Sequence, residues 1–163
     1  MITKEIIYKP IGIIHSPFKY VEGTPIQPAG AKGIAGTIEI ESDYSDGLKD
    51  IEGFSHIILL YHFHLSQGYS LKVKPFLDDN LHGVFAIRAP RRPNPIGISV
   101  VRLVSVDGCI LSIEDVDIID GTPLLDIKPY VPQFDARKAE RIGWLYKKAD
   151  KVSEVRADMR FKG

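Results

Sequence analysis

Ile98-Ser-Val-Val-Arg-Leu-Val-Ser-Val106-Asp107-Gly108-Cys109-Ile-Leu-Ser-Ile-Glu-Asp-Val116 consists of two apolar, β-branched runs on either side of an Asp-Gly pair. Asp-Gly suits the positive φ angles of a two-residue hairpin turn, so Ile98 to Val106 and Cys109 to Val116 are expected to pair antiparallel. Runs of the same kind occur at Glu5 to His15, Gly36 to Glu41, Ser55 to His64 and Gly83 to Arg88. Few segments favour helix before residue 137. Ser42 to Ile51 can form a short one with Tyr44, Leu48 and Ile51 on one face, and Ser70 to Leu81 stays ambiguous. Many short strands separated by Gly and Pro argue for an antiparallel barrel or sandwich rather than alternating βαβ units.

Beyond Asp135, a plausible N-cap, the pattern changes. Ala139, Ile142, Leu145, Tyr146, Ala149, Val152 and Val155 recur every three or four residues, which predicts an amphipathic helix. The expected organisation is one mainly β domain over residues 1–134 and a C-terminal helix over 135–163, packed on the domain or extending from it. A chain of 163 residues suffices for one core and not comfortably for two.

The formal net charge is zero, yet residues 137–163 carry nine Lys/Arg against four Asp/Glu. That basic tail is either a solvated helix or a phosphate-contacting surface. No run of about 18 apolar residues occurs, and Met1 to Tyr8 lacks a signal peptide's apolar core, so a soluble cytoplasmic protein is expected. The one cysteine, Cys109, excludes an internal disulfide and a cysteine-rich zinc site.

Four motifs carry chemistry. Gly30-Ala-Lys-Gly33-Ile-Ala-Gly36 has the wrong spacing for a nucleotide-binding loop and leads into a strand, so it reads as loop-shaping glycine. In Tyr61-His62-Phe63-His64, period-two alternation puts the histidines on one face and the aromatics on the other; a hydrogen-bonded pair lining a cleft is favoured over a metal site, and no metal is expected. In Arg88-Ala-Pro-Arg-Arg-Pro-Asn-Pro-Ile-Gly-Ile-Ser99, Pro90, Pro93 and Pro95 fix three φ angles and push Ala89, Arg92 and Asn94 out of the α region. Arg88, Arg91 and Arg92 therefore ride on a stiff loop, suited to binding carboxylate or phosphate. Finally, Asp115-Val-Asp117-Ile-Ile-Asp120-Gly-Thr-Pro123 ends a strand with alternating acids, which either bind ribose hydroxyls, act as bases or cap turns. Leu124 to Pro132 follows as a second stiff extended piece.

Six blocks in one order, Ile11 to Phe18, Phe54 to Ile57, Phe63-His64, Arg92 to Gly97, Asp120 to Pro123 and Asp126 to Tyr130, resemble the TsaA-like (TrmO-type) family over roughly residues 8 to 146. The resemblance implies a single antiparallel β-barrel, a homodimer, and S-adenosylmethionine-dependent methylation of tRNA, on N6 of the threonylcarbamoyl-adenosine at position 37. It places cofactor contacts on Gln27, Pro28 and Ala29, on His64 and Leu65, on Arg88, on Arg92 with Asn94, Pro95, Ile96, Gly97 and Ile98, and on Asp120, Gly121, Thr122 and Pro123. Arg91, Lys128 and Tyr130 are candidates for substrate contact. Asp126, Tyr130 and Asp135 are open alternatives for removing a proton. A different nucleobase or small amine as substrate, or a barrel that binds without catalysis, also fits the residues.

Overall fold

The computed structural model describes residues 4–157. Eight strands form: β1 Gly12–His15, β2 Ala35–Ile40, β3 His56–His62, β4 Lys72–Val73, β5 His82–Gly83, β6 Ile96–Asp107, β7 Ile110–Glu114 and β8 Thr122–Pro129. Six close into a barrel in the order β1-β2-β7-β6-β3-β8, every neighbour antiparallel, and β4 with β5 makes a two-stranded ribbon outside it. The barrel expectation is met.

The opening hairpin joins β6 to β7, displaced by one residue from its sequence reading. Asp107 pairs with Ile110, so the loop is Gly108-Cys109, and Gly108 alone takes positive φ, at 58°. Glycine at the first central position is the requirement of a type II′ turn. Other boundaries shift more. Only Gly12–His15 of the first run is strand, Gly83 to Arg88 is mostly a 3-10 turn and irregular chain, and Ser42–Leu48 and Ile51–Gly53 are 3-10 rather than α. The stiff piece after Thr122 proves to be β8, which pairs with both β1 and β3.

Alternation fills the interior. β3 buries Ile57, Leu59 and Tyr61, β6 buries Gly97, Ser99, Val101 and Leu103, and Ile14, Ile38, Leu111, Ile113 and Leu124 complete the core. A Cβ on Gly97 would overlap the Tyr61 ring and come 2.9 Å from Phe63 Cζ. Both aromatics pack edge to face, with centroids 5.5 Å apart.

The predicted C-terminal helix does not form within the described residues, and its last part, 158–163, lies outside them. One α-helical turn, Pro132–Asp135, is followed by irregular chain with 3-10 turns at Gly143–Leu145 and Ala149–Ser153. Gly143 and Lys147 adopt left-handed φ values of 57° and 65°, which no continuous helix permits. Tertiary contacts override the periodic stripe. Trp144, outside that stripe, stacks on His82 at 4.6 Å and donates its indole N–H to the Ala86 carbonyl at 2.8 Å. Lys148 Nζ and His82 Nε2 each lie 2.8 Å from the Asp78 carboxylate. Further on, Gly23 N–H donates to the Ala157 carbonyl and Ala157 N–H to that of Thr24, both at 2.8 Å.

Replacing Gly97 by Ala should destabilise the barrel by about 1–3 kcal/mol, read as a lower denaturant midpoint in chemical unfolding. Lys148, and then His82, hold the Asp78 carboxyl well below the usual carboxylate range. A depressed folded-state pKa means that this anchorage is complete above the ordinary carboxylate value and is lost as pH falls toward the folded one. Trp144 is the chain's single tryptophan. Its emission should move to the red in Asp78→Asn at pH 7, and in the wild type only under strongly acidic conditions; unchanged emission in the variant would show that Asp78 does not hold this segment.

Candidate active site

Where β3 ends and β6 and β8 begin, the connecting loops enclose a cavity of about 1010 Å³. That is at the upper end of the roughly 300–1,000 Å³ usual for small-molecule sites. Ten of the residues expected at a cofactor line it: Gln27, His64, Leu65, Arg88, Arg92, Asn94, Ile96, Gly97, Ile98 and Thr122. Trp144 and Leu145 from the C-terminal segment close another side.

The arginine- and proline-rich loop is fixed from within. Arg92 Nη1 donates to the Ile87 and Ala89 carbonyls at 3.0 and 3.3 Å, and Ser66 Oγ donates to the Pro90 carbonyl at 3.1 Å. Arg88 Nη1 reaches Gln27 Oε1 at 3.0 Å, joining two segments that are remote in sequence. Among the described residues no carboxylate lies within ion-pair distance of Arg88, Arg91 or Arg92. Arg88 and Arg92 line the cavity, whereas Arg91 does not; its Nε is buried without a hydrogen-bond partner.

Other expected contacts lie off the wall. Pro28 and Ala29 form a 3-10 turn beyond Gln27, and the Pro95 carbonyl accepts the Phe63 N–H at 2.8 Å. Asp120, which the resemblance places at the cofactor, closes a clasp outside the cavity lining. Its carboxylate accepts the Ser16 N–H at 3.1 Å and Lys19 Nζ at 2.5 Å, with His15 Nδ1 at 3.4 Å. Lys19 is the main cause that keeps this carboxyl below its ordinary range. Gly121 donates its N–H to the Ile14 carbonyl, and Pro123 sits in the β1–β8 ladder.

The three candidates for proton removal do not meet this cavity. β8 starts at Thr122 beside it and runs away, so that Pro129 pairs with Ile57 at the far end of β3. Asp126, opposite Leu60, is paired with Lys128 at 2.7 Å and is not part of the cavity lining; at the far end Tyr130 lies edge-on to His56, and Asp135 accepts the Val131 N–H at 2.8 Å. Lys128 and Tyr130 are equally remote as substrate contacts.

Sequence reasoning passed over a buried polar chain in the cavity wall. Ser99 Oγ donates to Asp117 Oδ1 at 2.7 Å. The one Ser99 hydroxyl proton is thereby committed, so Tyr61 donates to Ser99 Oγ, 2.9 Å away. Burial pushes the Asp117 carboxyl up to about 6, against opposing effects of the Ser99 hydrogen bond, its own backbone N–H and the Arg88 charge. Burial, then the Asp117 charge, also raises the Tyr61 phenol. The available signal was period two: Ser99 occupies an inward slot between Gly97 and Val101, where its neighbours in the strand are apolar or glycine.

Burial, and then His62, lower the His64 imidazole below its ordinary value, which favours its neutral form. Thr122 Oγ1 gives its proton to the Ile119 carbonyl at 2.6 Å, so it can only accept from His64 Nδ1 at 3.4 Å. Among the described residues no group of three His, Cys, Asp or Glu could hold a metal ion.

Comparison with known proteins matches residues 13–136 to the tRNA-methyltransferase O N-terminal domain. A probable S-adenosyl-L-methionine-binding protein of Pyrococcus abyssi is 62% identical over 156 residues, covering 96% of this chain and 85% of that protein. The tRNA (adenine(37)-N6)-methyltransferase of Escherichia coli is 40% identical over 135 residues, covering 77% and 57% respectively. The crystal structure of TrmO from Pseudomonas aeruginosa superposes with a TM-score of 0.72 at 39% identity, covering 86% of this chain and 62% of that one. This chain therefore spans less than two thirds of the latter two proteins. Sequence blocks, barrel topology and the matched span agree, and the chain belongs to the tRNA-methyltransferase O N-terminal domain family.

Proposed function

We propose that this chain is an S-adenosyl-L-methionine-dependent methyltransferase of tRNA, acting in the cytoplasm as a homodimer on N6 of the threonylcarbamoyl-adenosine at position 37. The observation that carries this reading is the cavity itself, lined by two guanidinium groups without carboxylate partners on a proline-stiffened loop. The names of the relatives, which bind S-adenosyl-L-methionine or methylate adenine 37, supply the matching chemistry. No helix among the described residues is long and apolar enough to cross a membrane.

The residues present fit the cofactor. A carboxylate calls for a charge-assisted donor, and Arg88 offers one at the mouth, held toward the cavity by Gln27. A sulfonium calls for oxygen, and the Ala89, Pro90 and Pro95 carbonyls of the loop, each accepting a hydrogen bond, keep a second lone pair. Leu65, Ile96 and Ile98 contribute apolar wall. Bound there, S-adenosyl-L-methionine would supply an electrophilic methyl group on positively charged sulfur. The protein's part is to exclude water and to hold the acceptor nitrogen in line with that methyl group, a placement worth several kcal/mol of barrier, on the order of 7–11 in well-oriented intramolecular reactions. Arg91, outside the cavity on the same stiff loop, is the substrate-side residue that this arrangement favours for a tRNA phosphate.

Incubation with S-adenosyl-L-methionine and tRNA that carries threonylcarbamoyl-adenosine should yield its N6-methyl derivative, detected by nucleoside mass spectrometry. Binding of the cofactor with no methyl gained by that nucleoside would sink the substrate assignment, and a methyl found on another base would redirect it. Arg88→Ala should weaken binding of S-adenosyl-L-methionine by about ten- to a hundredfold in calorimetry, the loss of one charge-assisted hydrogen bond.

A further inference from the structure

We propose that Asp117, oriented by the hydroxyls of Ser99 and Tyr61, is the proton acceptor of the methyl transfer. This rests on the methyltransferase reading above. Ser99 and Tyr61 are 3% and 5% exposed, in inward positions of a barrel whose core is mainly Ile, Leu and Val. Burying two hydroxyls there is costly unless both are bonded. Their chain of donation, Tyr61 to Ser99 to Asp117, has one outlet, the carboxyl group on the cavity wall. Ser99 is the one side-chain hydrogen-bond partner of that carboxyl among the described residues, bonded to Oδ1. The Asp117 backbone N–H is a further donor to the carboxylate, whose lone pairs outnumber these two bonds, so acceptor capacity remains. The charged and titratable groups acting on Asp117 are Arg88, which favours the carboxylate, and the neutral Tyr61 phenol.

A nitrogen that already bears a carbonyl substituent is a poor nucleophile while it keeps its proton. In the proposed step the substrate nitrogen forms a bond to the methyl carbon as the carbon–sulfur bond breaks and its electron pair returns to sulfur. The N–H proton passes to the Asp117 carboxylate. A sulfonium cation, a neutral N–H and a carboxylate become a thioether, an N-methyl product and a carboxylic acid, which then loses its proton to solvent. Desolvation places the carboxyl near 6, high enough to be an effective base yet ionised at pH 7.

The test compares wild type, Asp117→Asn and Ser99→Ala. In single-turnover assays with saturating cofactor and tRNA, Asp117→Asn should transfer methyl about a hundredfold or more slowly, while calorimetric affinity for S-adenosyl-L-methionine stays within about threefold. The wild-type rate should rise with pH through about 6 and then level, and the variant should lack that limb. Ser99→Ala removes the hydrogen bond that favours the charged form, so the limb should move to higher pH. Carbon-13 NMR of aspartate-labelled protein without ligands gives a readout independent of turnover: one carboxyl titrating near 6, absent in Asp117→Asn and displaced upward in Ser99→Ala. Equal losses of affinity and rate in Asp117→Asn would make it a cofactor anchor and overturn the proposal. So would a variant as fast as wild type. A wild type that binds cofactor and methylates no RNA defeats the methyltransferase reading as well, and is distinguished by needing no variant to show it.

Discussion

The double pairing of β8, with β1 on one side and β3 on the other, is the constraint on which the rest of the molecule depends. Without it the six strands would be an open sheet with two unsatisfied edges and an interior exposed along one seam. With it, Ile14, Leu59, Val101 and Leu124 share one closed core. The ends of β3, β6 and β8 are thereby held at fixed separations, and the cavity is the space that their loops enclose. The ladder between β3 and β8 shifts register at Leu60/Tyr61, and Tyr61 lines the cavity. An irregularity at that position re-aims a side chain next to a site, a common use of β-bulges.

Rigidity and polarity are supplied by different parts. Three prolines and the internal hydrogen bonds of Arg92 stiffen the loop that presents Arg88. Polarity within the core comes from the Tyr61, Ser99 and Asp117 chain, which breaks the barrel's apolar rule at its cavity end. Departures from local consistency concentrate where function requires them. The C-terminal segment joins the same layer, since Trp144 and Leu145 line the cavity while Lys148 ties them to Asp78.

Much of this was legible in the residues. Alternation over Ser55 to His64 and the Asp-Gly hairpin located the central strands, and three prolines in one loop announced its stiffness. What failed had physical causes. β8 was hidden because Pro123 and Pro129 bracket it, and proline signals loop until the pairing partners are known. The C-terminal stripe had helical spacing, but spacing is silent about Trp144, whose stack and hydrogen bond to the loop layer outweigh local periodicity. The contacts of Asp120 with Ser16 and Lys19, over a hundred positions away in sequence, were equally outside the reach of any local pattern. Asp117 was noticed among alternating acids, yet no local signal could show that Ser99 would fold against it.

The proposed function requires that the cavity between the β3, β6 and β8 ends receive S-adenosyl-L-methionine. Hydrogen–deuterium exchange, measured with and without that molecule, tests it most directly. Exchange should slow over residues 63–66, 85–98 and 117–122, with the β4–β5 ribbon and the Tyr130 end of the barrel unchanged. Protection confined to the His15–Asp120 side or to the Tyr130 end, or none at saturating ligand, would contradict it.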